Sequence, residues 1–513
     1  MRYRSRCLAA AFLAYLVSTP AFAAWHEARS KHFIIYADEK PKALLDYATR
    51  LEKFDQAARA ILQMPDPNVG DGNRLTVFVM PDDKAVQKLA GDTTGFVRGF
   101  YKGQASGPLA YVPKRMDGQS NDLGSDSTFY HEYAHHLMMQ QLNFPYPEWY
   151  VEGFAEFLST PKFERDGSVG LGAPPQHRAW GLFNGKPLPF ETLLGGTYSN
   201  VSKEQRESVY GRGWLLVHYL YMGGKRDGQL NSYVKAIAGG TPPMNAAQNA
   251  FGDLKSLDRE LTAYLKKRTI MTFNVGAGRI QPGPIDVKPM SQGAAEVVLL
   301  RAKLKNGISG ADLGTLVAEL RQLQARFPGD ELVELTLAEA ELEADRPAAA
   351  EAAADRAIKA NSKSTEALVL KGRAAVERAV QAPGDPTTIF AEARKLFVSA
   401  NKIDPEDPEP LMEFFKAFLR EGQRPTANAI SALHYASNLA PQDLGLRMTS
   451  ASAYLNEGKL KEARATLVPI AYSPHGGGIG EAARRMIAKI DAGDAKGALR
   501  LEEPATVEAS DGS

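Results

Sequence analysis

His131-Glu132-Tyr133-Ala134-His135 is the stretch of this 513-residue chain whose residue types and spacing are best suited to chemistry. Residues four apart share one face of a helix, so both imidazoles can point at a single metal ion. Glu132 falls one step round the helix, where its carboxylate can reach a metal-activated water without ligating the ion. Two histidines leave zinc one short of the three protein ligands of a catalytic site. Beyond a Pro-containing turn comes Trp149-Tyr150-Val151-Glu152-Gly153-Phe154-Ala155-Glu156-Phe157. Glu152 is the expected third ligand, since its interval from His135 lets the chain turn and lay an antiparallel helix alongside the first. Glu156, one turn further on, is placed to accept a hydrogen bond from the outer N–H of a ligand histidine, which fixes the tautomer and strengthens the ligand. Gly153 permits close helix–helix approach. The other reading of Glu152 and Glu156, as two solvated helix carboxylates, sits poorly with so apolar a segment.

These residues need two helices and a scaffold. Asp126 or Ser127 can cap the first helix, Phe129, Tyr133, Leu137 and Met138 give it an apolar side, and Asn143-Phe144-Pro145 stops it. Pro147 opens the second. Upstream, residues 32–36 and 75–79 are short β-rich runs, and 43–64 repeats apolar residues at helical spacing. Residues 96–101 and 109–112 read as two more strands around a Gly-rich turn. If 109–112 is the sheet edge, an extended peptide can join it as an added strand; a hairpin that only covers the core is an equal reading. The zone 121–272 is mainly helical, and Gly and Pro mark 273–292 as a linker.

From 293 to 501 the chain reads as helices rich in Ala, Leu, Glu, Lys and Arg, with helix pairs ending at 325–328, 360–362, 402–405, 438–441 and 471–474. All but one of the intervals between these stops fall close to the period of about 34 that marks helix-pair repeats. The exception runs from 362 to 405 and contains the loop-like insert 381–386. Such repeats bury their apolar faces only against their neighbours. A short curved solenoid is therefore expected, with an irregular helical bundle as the alternative. The fold class is α+β followed by an all-α helical-repeat region, with a disordered tail over 502–513.

Composition narrows the classes. The formal charge is +1, from 61 Lys and Arg against 60 Asp and Glu, which gives no electrostatic reason to expect nucleic acid. Residues 1–23 read as a secretory signal, with Arg2, Arg4 and Arg6 ahead of an apolar run and Ala21-Phe22-Ala23 as the cleavage site. That run is too short for a transmembrane helix, and no later segment approaches spanning length. The single cysteine, Cys7, lies in this leader, so no disulfide framework is possible. A periplasmic or secreted protein is expected.

HEYAH followed by WYVEGFAEF resembles the gluzincin metallopeptidases, and is most similar to the peptidase-MA-like family of exported bacterial proteins, some of them fused to tetratricopeptide repeats. The resemblance spans about residues 25–267. The segment 451–467, with Tyr454-Leu455-Asn456-Glu457-Gly458 and Lys461-Glu462-Ala463, is similar to a tetratricopeptide repeat. The resemblance implies a zincin-like domain over 24–272, with zinc on His131, His135 and Glu152 and a water completing the tetrahedron. Glu132 is then the general base, and Tyr210 a donor to the developing oxyanion or else a packing aromatic. The chain departs from aminopeptidase-type gluzincins in two ways: fewer residues separate His135 from Glu152, and no G-x-M-E-N-type exopeptidase motif precedes the site. His218 is expected as a satisfied helix histidine, His136 as structural and His177 as a loop residue able to line a cleft. The function implied is hydrolysis of peptide bonds in a peptide or protein substrate, with the repeats binding a protein partner or that substrate. A non-hydrolytic scaffold, or a zinc hydrolase of non-protein amides, stands as the alternative.

Overall fold

The computed structural model describes residues 25–93, 97–114, 124–140, 146–185, 188–195, 201–473 and 476–500. The expected leader and tail lie outside the described residues. A six-stranded mixed sheet organises the first half. Its strands are β1 (Trp25–Arg29), β2 (Phe33–Asp38), β3 (Leu75–Met80), β4 (Phe100–Lys102), β5 (Leu109–Pro113) and, from far along the chain, β9 (Asp286–Pro289). The spatial order is β4-β5-β3-β2-β1-β9, in which β5-β3 and β3-β2 pair parallel and the other neighbours pair antiparallel. A smaller sheet joins β6 (Lys162–Phe163), β7 (Val169–Leu171) and β8 (Phe273–Val275).

The two sheets overturn two expectations. The strand at 109–112 is not an edge: β4 pairs with its outer side, so β4 is the terminal strand. Nor is 273–292 a free linker. Its Gly and Pro residues sit between two strands that pair with β7 and with β1, so this stretch completes both sheets.

Alternation along the strands gives the large sheet two buried faces. Phe33, Ile35, Val77, Ala110 and Val112 face the helices Pro41–Leu62 and Gly124–Met139, in one continuous core. Ile34, Tyr36, Phe78, Met80, Leu109 and Tyr111 face the other way, onto Val298 and Ala302 of the helix Gln292–Asn306. The helix that opens the repeat region therefore roofs the sheet.

The repeats follow as helix pairs. Gln292–Asn306 with Gly310–Arg326, Glu331–Glu343 with Pro347–Ala360, Thr365–Gln381 with Thr387–Ile403, Pro408–Arg420 with Ala427–Leu439, and Leu444–Asn456 with Leu460–Ala471 each stop where the sequence places a stop. The insert 381–386 is the loop inside the third pair. A final pair, Gly477–Asp491 with Ala495–Arg500, closes the described chain. Each helix packs on the next, and their cores form separate clusters strung along the stack. No helix among the described residues is long and apolar enough to cross a membrane.

Candidate metal centre

The helix Gly124–Met139 is fixed by its apolar side. Tyr133 is buried with its ring 5.2 Å from Phe33, and its hydroxyl donates to Asp55 Oδ1 at 2.7 Å. Asp126 and Ser127 lie inside the first turn rather than at the cap. With the apolar side held by the sheet, His131 and His135 turn towards the helix Glu148–Leu158, which supplies Glu152. This second helix is buried along almost its whole length. It packs on the helix Lys203–Met222 through a glycine pair: a Cβ on Gly153 would collide with the carbonyl carbon of Gly213.

Three atoms converge between the first two helices. His131 Nε2 is 3.2 Å from Glu152 Oε2, His135 Nε2 is 3.4 Å from the same oxygen, and the two imidazole nitrogens are 3.1 Å apart. A tetrahedral zinc with ligands at about 2.0–2.1 Å requires ligand atoms about 3.3–3.4 Å from one another. All three residues are buried, at 8, 7 and 1% exposure. Two imidazole nitrogens this close repel through their lone pairs unless a proton or a cation lies between them. Burial opposes a charge on His131, but Glu152 and Glu156 outweigh it and raise its pKa to about 10. Burial likewise opposes a charge on Glu152, but His135 and His131 hold its carboxyl well below the usual carboxylate range. A metal ion at this point would compete with protonation of His131.

A second convergent group, His32 with Asp55 and Asp66, is different in kind. Arg59 sits 2.8 Å from Asp55 and Lys31 2.6 Å from Asp66, so those carboxylates already face cations.

Behind the triangle lies Glu156, fully buried. Its Oε1 is 3.4 Å from His131 Nδ1, close enough for electrostatic support though not aligned as a hydrogen bond. Its Oε2 is 3.1 Å from His177 Nε2, and Arg178 Nε donates to Oε1 at 2.8 Å. Burial opposes the charge on Glu156, but His131, His177 and Arg178 hold it ionised far below the ordinary carboxylate range. His177 thus joins the site as a partner of Glu156. Arg178 is a residue that sequence reasoning missed: nothing in the linear pattern pairs position 178 with position 156.

Tyr210, in the third turn of Lys203–Met222, places its ring 6.1 Å from that of His131, under the Arg178 guanidinium. Burial, with Glu152 nearby, pushes its phenol well above the usual tyrosine value, so the hydroxyl keeps its proton. Glu132 is half-buried where its helix meets β4, near Tyr101. His136 faces away from the triangle, with Nδ1 hydrogen-bonded to the Tyr101 hydroxyl at 2.8 Å; burial, then Arg59 and His32, push it down to about 3. His218 is buried between Met271 O, at 2.9 Å, and the Tyr264 hydroxyl, at 3.0 Å.

No family model matches the chain, and no curated protein matches it. Among solved structures, a thermophilic TPR protein of Thermus thermophilus is similar at 17% identity, over 39% of this chain and 97% of that one, with a TM-score of 0.31. A MamA RS-1 double mutant is similar at 14% identity, over 35% of this chain and 93% of that one, with a TM-score of 0.27.

Proposed function

We propose that this chain is an exported zinc-dependent peptidase with a zincin-like catalytic unit, in which His131, His135 and Glu152 hold the metal. The observation that carries the reading is the buried triangle of three ligand atoms, drawn from two helices and spaced 3.1 to 3.4 Å apart. Two imidazoles and one carboxylate are a donor set of catalytic zinc sites. Bound zinc supplies Lewis acidity, lowering the pKa of a water towards ~7. Glu132 takes one proton from the water as its oxygen adds to the scissile carbonyl carbon. The same carboxylate then delivers that proton to the amine nitrogen as the C–N bond breaks. Tyr210, kept protonated, donates a hydrogen bond to the oxyanion that develops between those steps.

The substrate is an extended peptide. β4 is the terminal strand of the large sheet and runs beside Glu132, so its outer main-chain groups offer strand pairing with little demand on side chains. The helical repeats bind a protein, either the substrate or a partner. The leader-like residues 1–23 support export.

Metal analysis of the purified parent beside Glu132→Gln, with an unfolded protein as substrate, tests this reading. Both proteins are expected to bind about one zinc, while Glu132→Gln loses about 10²- to 10⁴-fold in cleavage rate. A parent that binds zinc and leaves proteins intact but opens a non-protein amide would move the substrate class. A parent that hydrolyses nothing while its repeats hold a partner would establish the scaffold reading instead.

A further inference from the structure

Arg178 ends a short turn, Gln176–Arg178, that lies apart in sequence from both helices carrying the proposed metal ligands. Its guanidinium nevertheless meets three groups of the site in three directions. Nε and Nη2 contact Glu156 Oε1 at 2.8 and 2.7 Å. Nη1 donates to Glu207 Oε2 at 2.7 Å, one turn before Tyr210 on the same helix. The flat face of the cation covers the Tyr210 ring, 4.4 Å from its centroid. Glu156 in turn stands behind His131.

We infer that Arg178 is the positioning residue of this site: one guanidinium holds Glu156 against the zinc ligand His131 and sets the placement of the Tyr210 ring. The inference rests on the zinc reading proposed for the triangle. Burying a carboxylate is costly even when it is paired, and an apolar residue of similar volume would stabilise the same packing more cheaply. A fully buried Glu156 braced by Arg178 and His177 is accounted for by orientation rather than by stability. The pattern also demands arginine. A planar fork can serve two carboxylates at its edges and an aromatic ring at its face, whereas a lysine ammonium is a point charge that can serve one or two of these at once.

Arg178→Ala and Arg178→Lys in the full chain test the assignment, with two readouts. The first is the zinc dissociation constant, measured by competition with a chelator of known affinity. The second is kcat on an unfolded protein, measured alone and combined with Tyr210→Phe. Loss of a group that orients a ligand is expected to weaken zinc binding about 10- to 100-fold. Lysine, keeping the charge without the fork, should restore only part of that. In the Tyr210→Phe background the kcat penalty of Arg178→Ala should shrink, while the zinc penalty stays. A residue that merely ties down its turn would lower the melting temperature and leave the zinc constant unchanged below it, and that result overturns the inference. A parent that binds zinc beside an unchanged Arg178→Ala overturns the positioning role alone. A parent that binds no zinc removes the metal reading and this inference together.

Discussion

Both halves of the molecule bury charge, and they compensate it differently. In the repeats, carboxylates buried between helices meet cations. Arg356 meets Glu334, Arg321 meets Glu341, and Arg301 and Lys305 meet the half-buried Glu366. These matched pairs need nothing from outside the chain. In the sheet-based half, His131, His135 and Glu152 aim three ligand atoms at one point, and the pull of Glu152 and Glu156 raises the His131 pKa to about 10 against the cost of burial. The cores differ in the same sense: one continuous cluster surrounds the site, whereas the repeats string several smaller clusters in a line. A linear stack transmits stability from neighbour to neighbour. A single core holds two helices rigidly enough for a ligand triangle to persist.

The largest expected effect removes one member of the candidate triangle. Glu152→Ala should weaken zinc binding by roughly two orders of magnitude or more, since loss of a ligand exceeds loss of its outer partner. Cleavage should fall by about 10³-fold or more, because the Lewis acid goes with the metal. Chelator competition and a rate assay measure the two. Unchanged zinc affinity would show that residue 152 is not a ligand and that the contrast between the two halves is accidental.

How far the sequence carries this picture depends on the kind of contact. Helices and their stops are local properties, so the helix expected over 43–64, found at 41–62, and the five repeat stops could be read from apolar periodicity and from Pro, Gly and Asn. The convergence of His131, His135 and Glu152 was also within reach, since they lie on two consecutive helices. Sheet order was not, because it depends on pairing between distant segments. β9, at 286–289, crosses back to pair with β1, at 25–29, and the very short β4 displaces β5 from the edge. Arg178 is hidden for the same reason: its role exists only once the turn at 176–178 folds over Glu156 and Tyr210, which belong to two other helices.

Next in size is a pair of glycine substitutions with opposite signs. A Cβ on Gly153 would overlap backbone atoms of Gly213, and backbone cannot step aside as a side chain can. Gly153→Ala should force the helices apart and cost about 1–3 kcal/mol, shifting Glu152 with them. Gly314 lies exposed on the repeat helix Gly310–Arg326, where an added methyl would meet nothing within 4 Å. Gly314→Ala should instead stabilise the chain by up to about 1 kcal/mol through helix propensity. Thermal melts of both variants, with zinc affinity for the first, distinguish a tight, single-core half from a tolerant, modular one. A neutral Gly153→Ala would mean that the helix pair is not the rigid frame of the triangle.

The smallest effect belongs to the seam where the halves meet. Asp407, at the start of Pro408–Arg420, is 3% exposed and lies against Gly72 of the sheet-based half. Burial, with Glu409 and Asp404 adding repulsion, pushes its carboxyl up to about 8. Burial also raises Glu409 to about 7, although Arg373 and Lys305 pull it down while Glu413 and Glu366 push it up. Both folded values exceed the unfolded ones, so the folded chain holds protons that the unfolded chain has already released above about pH 4. Stability from these groups is therefore present at low pH and is lost as the pH rises from about 4 to about 8. The carboxylates held down at the candidate metal site, Glu152 and Glu156, act in the opposite direction, losing stability only as the pH falls below the normal carboxylate range. Asp407→Asn keeps the shape and cannot ionise. Its melting temperature should match the parent at pH 4 and exceed it by about 2–4 °C at pH 9, a shift of about 1 kcal/mol for a unit of this size. Equal slopes for parent and variant would place the seam among the matched, self-sufficient charges of the repeats.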